Sequence, residues 1–158
     1  MIKCSRRTRE GWYQVDEMVR RWMQQRILLT EDFEQIITPR AAEEPAADLT
    51  ARIRAFCQTL VDYVSAGHFE VYNELITEAR EFADGSLGRG IDLCHAIASS
   101  TDLAIEFNDR YDTDEHCRQQ FHSLPRDLME LGNILNMRFE LEDSLISAVH
   151  DCHRTMVA

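Results

Sequence analysis

From Ser5 to Ile37 the chain carries no proline and a single glycine, Gly11, while Val15, Met18, Trp22, Leu29, Phe33 and Ile36 recur at steps of three, four and seven residues. At about 100° per residue these side chains fall on one narrow stripe, which an amphipathic helix requires and a strand cannot use. Thr38-Pro39 supplies the stop, because the residue before a proline is pushed out of the helical region.

The same periodicity returns along the chain. Pro39-Arg-Ala-Ala-Glu-Glu-Pro45-Ala-Ala reads as a polar linker, after which Asp48 or Thr50 opens a second helix with Leu49, Ile53, Phe56, Leu60 and Val64 on one side. A third begins near Gly67 and runs through Phe69, Tyr72, Leu75, Ile76, Ala79 and Phe82. Asp84-Gly-Ser-Leu-Gly-Arg-Gly90 reads as a flexible connector, and a fourth helix spans about Ile91 to Tyr111 with Cys94, Ile97, Ala104 and Phe107. A short helical piece leads to Pro125, and a last helix over about 125–154 carries Leu128, Leu131, Leu135, Phe139, Ile146 and Val149. No segment alternates with the period of a strand. The expected fold is all-α: one domain, residues 1–158, forming an antiparallel bundle of four long helices with short additional helical segments.

Charge narrows the partners. With 28 acidic and 17 basic residues the net charge is -11, whereas a nucleic-acid backbone or an anionic membrane needs a basic footprint. Neither is expected as a direct partner. An acidic surface suits a basic protein such as a DNA-binding domain, and it equally serves solubility. The five cysteines, at 4, 57, 94, 117 and 152, form no C-x-x-C pair, so neither a disulfide framework nor a zinc ribbon is expected. No run approaches the roughly 18 apolar residues of a membrane span. The N-terminus lacks the apolar core of a secretory signal. The expected compartment is the cytoplasm.

Two places break the stripes. Arg26 lies near the centre of the first apolar stripe, and Glu142 lies inside the stripe of the last helix. Either charge alone would be costly to bury; as neighbours they would neutralise one another and fix helix register, while at the bundle edge both would snorkel outward. The second place is Asp62, Ser65 and Phe69, spaced i, i+3, i+7. On an uninterrupted helix they share a side opposite the core face, where an aromatic beside a carboxylate resembles a binding hot spot. If the helix ends at Gly67, Phe69 instead starts a new core stripe with Tyr72 and Ile76. Trp22, central in its own stripe, reads by default as core.

Reaction chemistry finds little support. Asp92-Leu-Cys-His95 is a single D-x-x-H, where di-metal bundles use two E-x-x-H motifs. His150-Asp-Cys152-His153 gathers possible ligands, but at a tail where fraying is expected. Ser65, Gly67 and His68 have no strand-to-helix elbow to sit on, and the loop Gly85-x-x-Gly88-x-Gly90 lacks the preceding strand and lysine of a phosphate loop. No catalytic residue, metal or cofactor is expected. A metal- or cofactor-dependent bundle enzyme, or an adaptor for other regulators, remains the alternative.

One long motif bears on function directly. Phe56-Cys-Gln-Thr-Leu-Val-Asp62-Tyr-Val-Ser65-Ala-Gly67-His68-Phe69-Glu-Val-Tyr72 closely resembles the signature of the Rsd/AlgQ family, regulators of the bacterial primary sigma factor. Arg21-Trp22 resembles that family's R-W-L element, with Met23 in place of leucine, and Arg138-Phe139-Glu-Leu141-Glu142-Asp143-Ser-Leu145-Ile146 resembles its R-F-x-L-E-D-x-L-I element. The resemblance implies a helical-bundle anti-sigma factor, not an enzyme, that binds the C-terminal, promoter -35-reading domain of the primary sigma factor. It implies contact through Asp62, Ser65 and Phe69, with Met18 and Trp22 as neighbours, and so moves Phe69 from core to interface. Arg20 departs from the family pattern, in which an acidic residue precedes R-W. Region 85–125 matches poorly, which leaves room there for a further regulatory partner.

Overall fold

The structure, a computed structural model, describes residues 4–37 and 46–158. The proposed stop at Thr38-Pro39 and most of the linker lie outside them. Helix α1 spans Arg6–Ile37. Ser5 caps its start, its hydroxyl accepting from the Thr8 amide at 3.1 Å. Helix α2 spans Ala46–Ala66, opening earlier than Asp48. A π-helical turn, Gly67–Val71, joins it without a break to α3, Tyr72–Phe82. Helix α4 is Ser86–Tyr111, α5 Asp114–Gln120, α6 Leu124–Val149 and α7 Arg154–Val157.

Pairs of contacts fix the helix directions. Gly90 at the start of α4 packs on Val149 at the end of α6, while Arg110 at the end of α4 reaches Asp127 at the start of α6. On α1, Trp12, Arg26 and Phe33 meet, in reverse order, His150 just past the end of α6 and Glu142 and Gly132 within it. Helices α1 and α2 also run in opposite senses, with Phe33 against Phe56 and Trp22 against Tyr63. The result is the expected antiparallel all-α bundle. Among the described residues no helix is long and apolar enough to cross a membrane.

The predicted stripes fill the interior: Leu29, Phe56, Leu60, Leu75, Ile97 and Val149 are fully buried, each contributing about 1.5–3 kcal/mol of apolar burial. Three expectations are corrected. The segment after Asp84 is not a flexible connector, because helix α4 begins at Ser86 and Gly90 lies inside it. There a Cβ would meet Val149 Cγ2 at 3.0 Å and Ile76 Cδ1 at 3.1 Å, so the glycine allows close helix packing. The third helix does not begin afresh at Gly67. The tail does not fray: α6 stops at Val149, and a tight turn over Asp151–His153 tucks His150 and His153 into the interior against Glu78, Asp16 and Asp84. Burial opposes the charged imidazole of His150, but the Glu78 and Asp16 carboxylates raise its pKa above the ordinary value.

Candidate protein-binding face and the ion network beneath it

The three sequence elements that carry the family resemblance meet in one place. Glu142, completely buried on α6, is its centre. Its Oε1 accepts from Tyr63 Oη at 2.7 Å and from Arg26 Nη2 at 3.3 Å. Its Oε2 accepts from Tyr72 Oη at 2.5 Å and from Arg138 Nε at 3.2 Å. Each tyrosine hydroxyl also accepts from an arginine, Tyr63 from Arg26 Nε at 3.0 Å and Tyr72 from Arg138 Nη2 at 2.8 Å. The remaining donors of Arg138 go to Ser100 Oγ and Thr101 Oγ1 on α4, at 3.0 and 2.7 Å. Arg26 Nη1 turns outward to Asp143.

Two arginines thus face two carboxylates, buried Glu142 and exposed Asp143, and no buried side-chain nitrogen or oxygen among the described residues lacks a partner, the condition for a tolerable buried ion network. Burial and the adjacent Glu142 charge push both phenols well above their usual range, so they stay protonated donors. Burial works against the Arg26 charge, yet Tyr63, Asp143 and Glu142 raise its pKa further. The Arg26–Glu142 pairing, one of the two outcomes the broken stripes allow, is present, but as one edge of a network that also holds Tyr63, Tyr72 and Arg138. Periodicity does not single out Tyr63 or Arg138, and it marks Tyr72 only as a core ring.

Aromatic rings roof this network. Trp22 stacks on Tyr63 with centroids 5.1 Å apart, lies edge-on to Tyr72, and donates Nε1–H to the Tyr63 carbonyl at 3.3 Å. The π-helical turn passes directly over the indole. A Cβ on Gly67 would lie 2.9 Å from Trp22 Cζ2 and 3.1 Å from Tyr72 Oη, so no larger residue fits without displacement.

That contact decides the position of Phe69. Because the rod continues, the core face runs through Val64, Gly67, Val71 and Leu75, all buried. Phe69, two residues beyond Gly67 in the π-helical turn, points to the opposite side of the rod. It is 70% exposed, with His68 edge-on at 4.9 Å. Periodicity alone leaves Phe69 open between core and surface; it is on the outside, and the reason is that Gly67 is a packing contact and not a helix stop. A single-turn π-bulge of this kind is often found at functional sites.

Asp62 is exposed and accepts from Gln58 Nε2 at 3.0 Å, and Ser65 is half-buried. Met18 is half-buried at the edge of the core. It lines a groove of about 390 Å³ between α1 and α3 together with Glu10, Glu74, Glu81 and Arg7. Trp22, expected beside these as a contact, is 2% exposed and is corrected to a support under the turn. Arg20, the departure from the family pattern, pairs with Asp16 Oδ2 at 3.0 Å.

The profile described as regulator of RNA polymerase sigma(70) subunit, Rsd/AlgQ, matches residues 1–150. A protein of Yersinia pseudotuberculosis named regulator of sigma D is 29% identical over 132 residues, covering 83% of this chain and 78% of its own. The regulator of sigma D of Pectobacterium carotovorum is 28% identical, over 85% of this chain and 88% of its own. That of Yersinia enterocolitica is 26% identical over 83% and 79%. No solved structure matches the chain.

Proposed function

The chain belongs to the Rsd/AlgQ family of regulators of the RNA polymerase sigma(70) subunit, and from that membership we propose that it is a cytoplasmic anti-sigma factor, acting as one helical domain over residues 1–158. Its partner is the C-terminal, promoter -35-reading domain of the primary sigma factor, which it covers and so withholds from RNA polymerase. No covalent chemistry is involved.

The observation that carries this reading is the exposure of Phe69 on a turn held rigid from below. A large ring that the bundle does not need, set on a pre-ordered backbone, is what an interface anchor requires, because little conformational freedom is lost on docking. Asp62 and Ser65 supply polar contacts along the same rod, and Met18 supplies an apolar one at its edge. The glutamates of the α1–α3 groove and the net charge of -11 match a basic DNA-reading surface. Rim charges of this kind set the association rate, and the anchor sets the lifetime.

Titration of the protein with the isolated sigma C-terminal domain at two salt concentrations tests the proposal. Binding is expected to weaken as salt rises and to weaken further with Phe69→Ala. Binding that is indifferent to both would overturn the assignment of this face.

A further inference from the structure

At the opposite end of α3 from Phe69, the tail turn brings His153 and Cys152 against Asp84, and we propose that these three side chains form a zinc site. The proposal is independent of how the protein binds sigma factor.

The three donor atoms, one nitrogen, one sulfur and one oxygen, lie within 4.8 Å of one another. Zinc bonds of about 2.0–2.3 Å set tetrahedral donor–donor edges of roughly 3.3–3.8 Å, a spacing between the 2.7 Å of the His153–Asp84 pair and the 4.8 Å that bounds all three donors. Each ligand is already oriented. His153 is completely buried, its ring stacked on Phe82 with centroids 3.9 Å apart and planes 3° from parallel. Its Nδ1 faces Glu78 Oε2 at 2.9 Å, which leaves Nε2 directed at Asp84 Oδ2, 2.7 Å away. A carboxylate on the far nitrogen is the usual outer support of a zinc-bound histidine, since it fixes the tautomer and makes the ligating nitrogen more basic. Asp84 sits between two residues with positive φ, Ala83 and Gly85. Its Oδ1 is occupied by the Ser86 amide and hydroxyl, at 3.1 and 2.7 Å, which turns Oδ2 inward. Cys152 lies one residue from His153 in the same turn, its thiol resting on the Ala148 carbonyl.

The donor set selects the metal. One sulfur, one imidazole and one carboxylate suit a borderline cation such as zinc, whereas calcium and magnesium require oxygen alone. Three protein ligands leave a fourth position for solvent. Asp84 and Cys152 are both exposed, and Asp84 lines a cavity of about 130 Å³ with Cys4 and Phe82, ample for a water. Binding displaces the Cys152 thiol proton and the proton shared between His153 Nε2 and Asp84, so one dication replaces two protons. The charge buried around Glu78 is therefore unchanged, and the desolvation cost of a new buried charge does not arise.

The test uses the full chain, stripped with chelator and titrated with zinc, and in parallel with cobalt(II) followed by absorbance. Expected are one zinc per chain, a rise in melting temperature on binding, and a cobalt–thiolate absorption band. Cys152→Ser should abolish the band, and both Cys152→Ser and Asp84→Asn should weaken zinc binding about tenfold or more. Cys152 is exposed, so its variant should melt with the metal-free wild type, and Cys4→Ser should bind as wild type does. Absence of stoichiometric binding, or binding unchanged by Cys152→Ser, would overturn the site.

Discussion

Tyr72 Oη stands 2.5 Å from Glu142 Oε2 and 2.8 Å from Arg138 Nη2, so a single hydroxyl both donates to the buried carboxylate and accepts from the buried guanidinium. Tyr63 does the same for Arg26 and the other Glu142 oxygen. The two phenols carry the ion pairs across the bundle, from α1 through the α2–α3 rod to α6.

Tyr72→Phe removes that hydroxyl while keeping the ring under Trp22. The expected loss is about 1–3 kcal/mol, the cost of leaving buried polar groups short of a partner. Glu142→Gln removes the charge that neutralises Arg138 and Arg26, and should cost more, about 3–5 kcal/mol. Urea denaturation of the two variants beside wild type checks both the losses and their order.

Phe69 and Trp22 should respond in opposite ways to the same truncation. Trp22→Ala empties a packed site against Tyr63 and Tyr72 and is expected to cost about 3–5 kcal/mol of stability. Phe69→Ala touches little of the fold and should change stability by only about 0.5 kcal/mol, while weakening sigma-domain binding by about 2 kcal/mol or more. Circular dichroism melts and binding titrations on the same two samples separate the effects. If Phe69→Ala unfolds the protein, the ring is not an interface anchor.

Gly67→Ala probes the link between network and face. The new methyl would lie 2.9 Å from Trp22 Cζ2, so either the indole or the π-helical turn must shift. Overpacking of this kind costs about 1–3 kcal/mol. Because the turn carries Phe69, sigma-domain binding should fall along with stability, beyond what Asp62→Ala alone produces. Melting and titration of the variant give both quantities.

The long helices were legible in the sequence because each buries one continuous stripe, and a stripe is a local property. Glu142 and Arg26 were legible as misfits for the same reason. Tyr63 and Tyr72 were not, since a tyrosine inside an apolar stripe looks like any other core ring until its hydroxyl meets a partner on another helix. Gly67 was read as punctuation, but whether a glycine stops a helix or lets two helices touch depends on what lies opposite, here Trp22. His150 and His153 looked like a frayed tail because Glu78, the carboxylate that holds both, is 72 and 75 positions away. The exposure of Phe69 was legible only through the family motif; periodicity left it undecided.

Asp16 offers a pH-dependent check on the tail clasp. It is nearly buried on α1; that burial alone would raise its pKa, but the His150 hydrogen bond and the charges of Arg20, His150 and Arg154 overcome it and hold the carboxyl below its ordinary value of 3.8. A carboxyl whose folded pKa is depressed contributes stability that is fully present above its unfolded value and disappears as pH falls through the folded one. His150 has its pKa shifted the other way, upward, and so remains the charged partner throughout the acidic range. The stability difference between wild type and Asp16→Asn should therefore hold steady from about pH 6 down to the ordinary aspartate range, then close as Asp16 itself takes up a proton. Denaturation curves for the pair, taken with chelator present at several pH values between about 6 and 2, measure that difference directly. A gap that persists unchanged to the lowest pH would mean that the carboxylate's charge does not hold the tail.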